Sequence, residues 1–197
     1  MMIPLPSDCT TLHVLVSGGA DSALLLYLLA KQNPTATIRC HSYKYMAQVL
    51  PVVQWVHTHT NKALPVTQWG GDRNVFVRIA AQTVLLEDPT GYVFTGCNAI
   101  LETVNTAMIR ETLGADHIVR KIPTRGPVET ERHIRPFLEL TKQEILQEFI
   151  SEGILDLLAI TRSCNTGPRG RCNRCYFCRE RAWAVKCLGI ADPDLTV

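Results

Sequence analysis

Two runs of residues in this chain have the types and spacing to do chemistry. The first is Ser17-Gly18-Gly19-Ala20-Asp21-Ser22, set between an apolar run at residues 12–16 and a leucine-rich run at residues 21–31. The second is Cys164, Cys172, Cys175 and Cys178, spaced C-x(7)-C-x(2)-C-x(2)-C. A turn of two glycines between a strand and a helix points backbone N–H groups at an anion and lets it approach closely. Ser17 and Ser22 add hydroxyl donors. Asp21 beside a phosphate needs a bridging cation such as Mg²⁺, or else it serves as a helix cap. The pattern fits neither G-x-x-x-x-G-K-[ST] nor G-x-G-x-x-G, which disfavours a kinase-like P-loop and a dinucleotide fingerprint.

Four thiolates complete a tetrahedral Zn²⁺ and leave no open position, so the cysteine site is expected to be structural. Disulfides are the weaker reading of so tight a cluster without a visible secretory signal. An iron–sulfur cluster takes the same four ligands, but nothing else in the chain implies redox work. Arg169, Arg171, Arg174, Arg179 and Arg181 surround the cluster. They are expected to favour thiolates, or to form a solvated basic loop, or to meet an anionic substrate.

These residues need elements to hold them. Apolar runs at 12–16, 37–43, 65–69 and 92–95 read as strands. Residues 21–31, 46–58, 76–86 and 100–113 read as helices, Pro51 limiting the first turn of the second. The alternation predicts an α/β fold with a parallel sheet and helices on both faces. Residues 123–136, with three prolines and no periodicity, read as a long loop. Thr141 and Glu144 have capping-box spacing before an apolar stripe, which makes Lys142 the first residue of a helix. Lys142 is expected either to reach a bound phosphate or to be a surface lysine. After the fourth strand, Thr95-Gly96-Cys97-Asn98 is either a plain turn or a second source of backbone amides, with Gly96 nearest the ligand.

The Ser-Gly-Gly-x-Asp-Ser hexad after a first strand resembles the signature of the PP-loop ATP pyrophosphatases, the adenine nucleotide alpha hydrolase-like fold. Joined to TRSCNTGPRGRCNRCYFCRERAWAV and RPFLELTKQEILQEFISEGI, it resembles the 7-cyano-7-deazaguanine synthase family of queuosine biosynthesis. The similarity lies in the two ends of the chain. It implies an ATP-dependent ligase that adenylates the carboxylate of 7-carboxy-7-deazaguanine and uses ammonia to form an amide or nitrile. It assigns Ser17, Gly18, Gly19, Asp21 and Ser22 to the phosphate loop, Lys142 to the downstream lysine, and the four cysteines to zinc. Asp21, Ser22 and Lys142 are the expected catalytic residues, and ATP, Mg²⁺ and Zn²⁺ the expected cofactors. The expected organisation is a nucleotide domain at 1–160 and a zinc segment at 161–197. The resemblance also suggests a homodimer.

Two other readings use the same residues. One is a PP-loop enzyme that modifies tRNA or another deazapurine acceptor. The other is a non-enzymatic zinc module that binds nucleic acid through residues 162–181. A formal net charge of +2 makes no demand for nucleic acid. No apolar stretch reaches the roughly 18 residues of a membrane span, and the first residues do not read as a signal peptide, so a cytoplasmic setting is expected.

Overall fold

A computed structural model describes residues 1–44, 46–71, 76–98, 130–164, 171–173 and 175–193. The expected helix at 100–113 lies outside the described residues, as does the expected loop up to residue 129. The sheet is parallel throughout. β1 (Thr11–Leu15) is central, β2 (Thr37–Tyr43) and β3 (Val66–Trp69) lie to one side, and β4 (Gly91–Thr95) and β5 (His133–Ile134) to the other. The order β3-β2-β1-β4-β5 reverses direction between β1 and β4. Just beyond the carboxyl ends of those two strands is where such sheets open a crevice for ligands.

The alternation within each strand divides the core. Leu12 and Val14 of β1 and Phe94 of β4 face one side, and Leu15 and Val93 the other. The first side carries α1 (Ala20–Gln32) and α2 (Val49–Thr60), with α4 (Lys142–Ser151), α5 (Leu155–Ile160) and α6 (Tyr176–Cys187) contributing to the same core. The second side is covered by Phe76, Ala80, Ala81, Val84 and Leu85 of α3 (Phe76–Glu87). Helices thus lie on both faces, as expected. α1 is buried at every position from Ser22 to Ala30, which explains why its run of leucine, alanine and tyrosine has almost no polar stripe.

Three boundaries differ from the sequence reading. α2 starts at Val49, not at residue 46, which places Pro51 in its first turn, where a missing N–H breaks no helical hydrogen bond. Within the expected loop at 123–136, His133–Ile134 is a strand paired with Val93–Phe94. Arg132 anchors it, donating to the carbonyls of Leu85 (3.0 Å), Asp88 (3.0 Å) and Gly91 (3.2 Å). Two residues are too few for a period to show. Third, the cysteine segment ends in a helix, α6, whose Trp183, Ala184 and Val185 join the core that α1 and α4 build.

The α3 side of the sheet also carries a polar row. Trp69 Nε1 donates to His41 Nδ1 at 3.1 Å, His41 Nε2 meets His13 Nδ1 at 3.0 Å, and His13 Nε2 meets Asp88 Oδ2 at 3.0 Å. The indole can only donate, so the tautomers follow: His41 is protonated on Nε2 and His13 on Nε2, which donates to the carboxylate. Burial, then the neighbouring His13 and Arg39, push His41 down to about 4.

Candidate active site and metal centre

β1 ends at Leu15, and the chain turns at Ser17-Gly18-Gly19 into α1. Gly18 has φ +76°, and a Cβ there would lie 2.3 Å from the Gln48 side chain and 2.9 Å from its backbone. Only glycine fits both constraints. Gly19 is the N-cap of α1 and offers no side chain to the helix, so the first turn has no side-chain cap. The amides of an uncapped helix start are available to an anion. The turn is held from three sides. Gln48 Nε2 donates to Ser17 O (2.9 Å), Arg162 N donates to Gly18 O (2.9 Å), and Ser17 N donates to Ser22 Oγ (3.1 Å). Ser22 Oγ also lies 3.1 Å from Ser17 Oγ and donates to Gly19 O at 3.1 Å. Its hydroxyl is therefore engaged inside the turn, while Ser17 is exposed.

β4 delivers Thr95-Gly96-Cys97 to the same place. A Cβ on Gly96 would lie 2.7 Å from the backbone of Asp21, so glycine here allows the β4 turn to pack directly on the first turn of α1. Together these segments line a cavity of about 350 Å³, at the small end of the range for ligand sites. Ser17, Gly19, Asp21, Ser22, Gly96 and Lys142 line it, with Cys97, Gln48, Arg162 and Ser163. Phe76, Val77, Met46 and Phe177 give it an apolar side. Of the residues expected to bind phosphate, Gly18 alone sits behind the wall, shaping the turn.

Lys142 follows the Thr141 cap, whose capping box with Glu144 is complete: Glu144 N donates to Thr141 Oγ1 (3.2 Å) and Thr141 N to Glu144 Oε2 (2.7 Å). Its side chain is only 4% exposed, which is unlike a surface lysine. Nζ donates to both carboxylate oxygens of Asp21, at 2.5 Å to Oδ2. Glu180 Oε2 lies 3.5 Å from the same nitrogen. Burial alone would lower the Lys142 pKa, but the two carboxylates outweigh it and hold the ammonium above its ordinary value. Burial pushes Glu180 above the usual carboxyl range, with Lys142 opposing. Asp21 is therefore not the cap of α1; it is the ion-pair partner of Lys142, facing the cavity.

The four cysteines converge. Cys164 precedes the described residue Arg171, Cys172 follows it, Cys175 is the N-cap of α6 and Cys178 lies in its first turn. Their four sulfurs lie within 4.8 Å of one another, and the Sγ atoms of Cys172 and Cys178 are 4.0 Å apart. A tetrahedral ion with Zn–S of about 2.3 Å sets its sulfurs roughly 3.8 Å apart. A four-iron cube spreads its thiolates further than a single ion does. The spacing thus fits one metal ion. Cys175 N donates to Cys172 Sγ at 3.2 Å, as backbone amides do to ligand thiolates.

Two of the flanking arginines have a different partner from the one expected. Arg181 is fully buried; Nη2 donates to Asp192 Oδ1 (3.0 Å) and Leu158 O (3.0 Å), and Nη1 to Thr161 Oγ1 (2.7 Å). Arg171 pairs with Asp192 at 2.5 Å. These ion pairs fasten α6 to the end of α5. Arg169 and Arg174 lie outside the described residues. Glu180, Gln48 and Arg162 were not singled out by sequence, and Asn98 was read only as part of the turn after β4. Glu180 sits between two arginines in a cysteine-rich segment, where charge alone gives no hint that it points inward.

No family model matches the chain. Over 137 residues it is 30% identical to the 7-cyano-7-deazaguanine synthase of Cellvibrio japonicus (strain Ueda107), covering 66% of this chain and 58% of that protein. Over 71 residues it is 34% identical to the enzyme of that name from Gloeobacter violaceus, covering 34% of this chain and 30% of that protein. A third match, from Caldicellulosiruptor bescii, is 34% identical over 58 residues and covers 29% and 25%. The chain thus spans less than two thirds of the curated relatives it matches. Among solved structures, the U34-tRNA thiolase NcsA from Methanococcus maripaludis, with its [4Fe-4S] cluster, aligns with a TM-score of 0.49 and 12% identity, covering 88% of this chain and 63% of that one. The described helices include none long and apolar enough to cross a membrane. By direct comparison as well as by motif, the chain resembles the 7-cyano-7-deazaguanine synthases.

Proposed function

We propose that the chain is an AMP-forming ATP-dependent ligase of the 7-cyano-7-deazaguanine synthase type. The observation that carries this reading is the uncapped start of α1 opening on a cavity that also holds the Asp21–Lys142 pair. The substrate carboxylate oxygen attacks the α-phosphorus of ATP, the bond to the β-phosphate oxygen breaks, and pyrophosphate leaves. Ammonia then attacks the acyl carbon of the adenylate and AMP leaves, giving the amide. A second activation, at the amide oxygen, removes that oxygen and gives the nitrile.

The residues divide the work. Gly18 shapes the turn and Gly19 with the α1 amides binds phosphate, as helix starts do. Ser17 donates from the rim, Ser22 keeps the turn in register, and Gly96 sets its depth. Asp21 would hold Mg²⁺, which supplies positive charge to the phosphates. Lys142 meets the negative charge that grows on phosphate oxygen in the transition state. Cys164, Cys172, Cys175 and Cys178 would hold Zn²⁺ in a closed, structural site. The same reading carries ammonia as nitrogen donor, a homodimer and a cytoplasmic setting, with nucleic acid not required.

The test is AMP release by the purified protein with ATP, Mg²⁺, 7-carboxy-7-deazaguanine and ammonium, the products read by mass. AMP formed only when acceptor and ammonium are both present supports the reading, and the mass separates amide from nitrile. No acceptor-dependent AMP, or AMP release that requires tRNA instead, overturns it.

A further inference from the structure

We infer that Glu180 is a positioning residue for Lys142, the group that lets Asp21 leave the ion pair and take a divalent cation. This rests on the adenylation proposed above. Glu180 lies on α6, two residues past Cys178, and is 2% exposed. Asn98 Nδ2 donates to its Oε1 at 2.9 Å, and Tyr176 OH donates to the same atom at 3.2 Å. Both hydrogen bonds thus converge on one oxygen. Among the described residues Oε2 receives none, and it faces Lys142 Nζ at 3.5 Å. The clamp on Oε1 fixes which way the carboxylate points.

Asp21 has two competing roles. It pairs with Lys142, and it is the carboxylate in the cavity suited to a hard cation. If Asp21 turned to Mg²⁺ with no other anion near, Lys142 would be a buried charge without compensation, which proteins avoid. Glu180 Oε2 removes that penalty from behind. The ammonium then stays in place with its free N–H groups toward phosphate. The metal-braced segment therefore reaches the nucleotide site twice: through Arg162 N on Gly18 O at 2.9 Å, and through Glu180 on Lys142.

Glu180→Gln isolates the charge, because a glutamine carbonyl still accepts from Asn98 and Tyr176. The variant is compared with the wild-type protein, both metal-loaded, in the AMP assay. Expected are a fall in kcat of about tenfold or more and a rise of several-fold in the Mg²⁺ concentration for half-maximal rate. KM for ATP at saturating Mg²⁺, melting temperature and bound metal stay near wild type. Glu180→Asp, with the charge one methylene short, recovers part of the rate. Wild-type kcat and Mg²⁺ dependence in Glu180→Gln overturn the inference, while the functional reading stands. Equal loss in both variants with a lowered melting temperature also overturns it, in favour of a packing role. A wild-type protein that neither binds nor cleaves ATP overturns both readings.

Discussion

At the scale of single residues, the site is governed by one buried cation between two carboxylates. Asp21 is the partner that faces the cavity, so it is the one a substitution tests most cleanly. Asp21→Asn keeps shape and volume, and Glu180 still compensates Lys142. We expect AMP formation to fall at least about 100-fold while the fold survives, checked by steady-state rates beside circular dichroism; retained turnover would remove Asp21 from the mechanism. The histidine row makes a different prediction. His41 has its folded pKa depressed to about 4, against 6.5 for the free side chain. Between those values the unfolded chain binds the proton and the folded chain does not, so stability falls as pH drops through that window. The full effect is about 3 kcal/mol below pH 4. Asp88, held low first by its hydrogen bond from His13, adds loss in the same direction at more acid pH. Melting temperature should decline from pH 6.5 to 4, and His41→Gln should flatten that decline. An unchanged slope in the variant would contradict the assigned protonation.

At the scale of elements, the glycine turn sits where two helix starts, α1 and α4, and one strand end, β4, meet at the point where strand order reverses. α4 is the clearest case of sequence dictating position. Its capping box fixes where the helix begins, and Lys142 is the next residue. Thr141→Ala should cost about 1 kcal/mol of stability and also lower AMP formation, because the first turn that carries Lys142 frays. A melting curve and a rate measured on the same sample check both; a stability loss with no rate loss would separate the cap from the site. The strands β1, β2, β3 and β4 and the helices α1, α3 and α4 were legible as apolar runs bounded by glycine, proline or a cap. α5 and β5 were too short for a period to declare itself. α6 was hidden for another reason: its first turn carries candidate metal ligands, and their spacing drew attention away from Trp183, Ala184 and Val185, which form an ordinary buried face. Asp21 could be placed at the site by sequence, but not Glu180, because tertiary pairing across so many residues leaves no local pattern.

At the scale of the whole molecule, the cysteine segment is built into the core. Arg181, Asp192 and Arg171 form a buried ion cluster that ties α6 to α5, and Arg162 reaches from the same segment to the glycine turn. Loss of the metal should therefore travel. Cys172→Ser is expected to lower bound metal and melting temperature together, and to weaken nucleotide binding as well, because the strap over Gly18 loosens. Metal analysis, thermal denaturation and ATP titration of one preparation test this; full metal content and an unchanged melting temperature would reject the closed four-sulfur site. Both motifs were legible as separate parts of the chain, a glycine turn and a cysteine cluster. Their mechanical connection was not, since it runs through backbone and buried side chains rather than through motif residues.

The pocket takes Lys142, Arg162 and Phe177 from the last third of the chain and its glycine turn from the first tenth. A ribosome reading this message therefore displays the turn long before the parts that complete it. On the proposed reading, an emerging chain has no competent grip on ATP until Lys142, Arg162 and Phe177 have cleared the exit tunnel. Ligand can then act only once those parts are in place, where mass action favours the assembled state over its precursors.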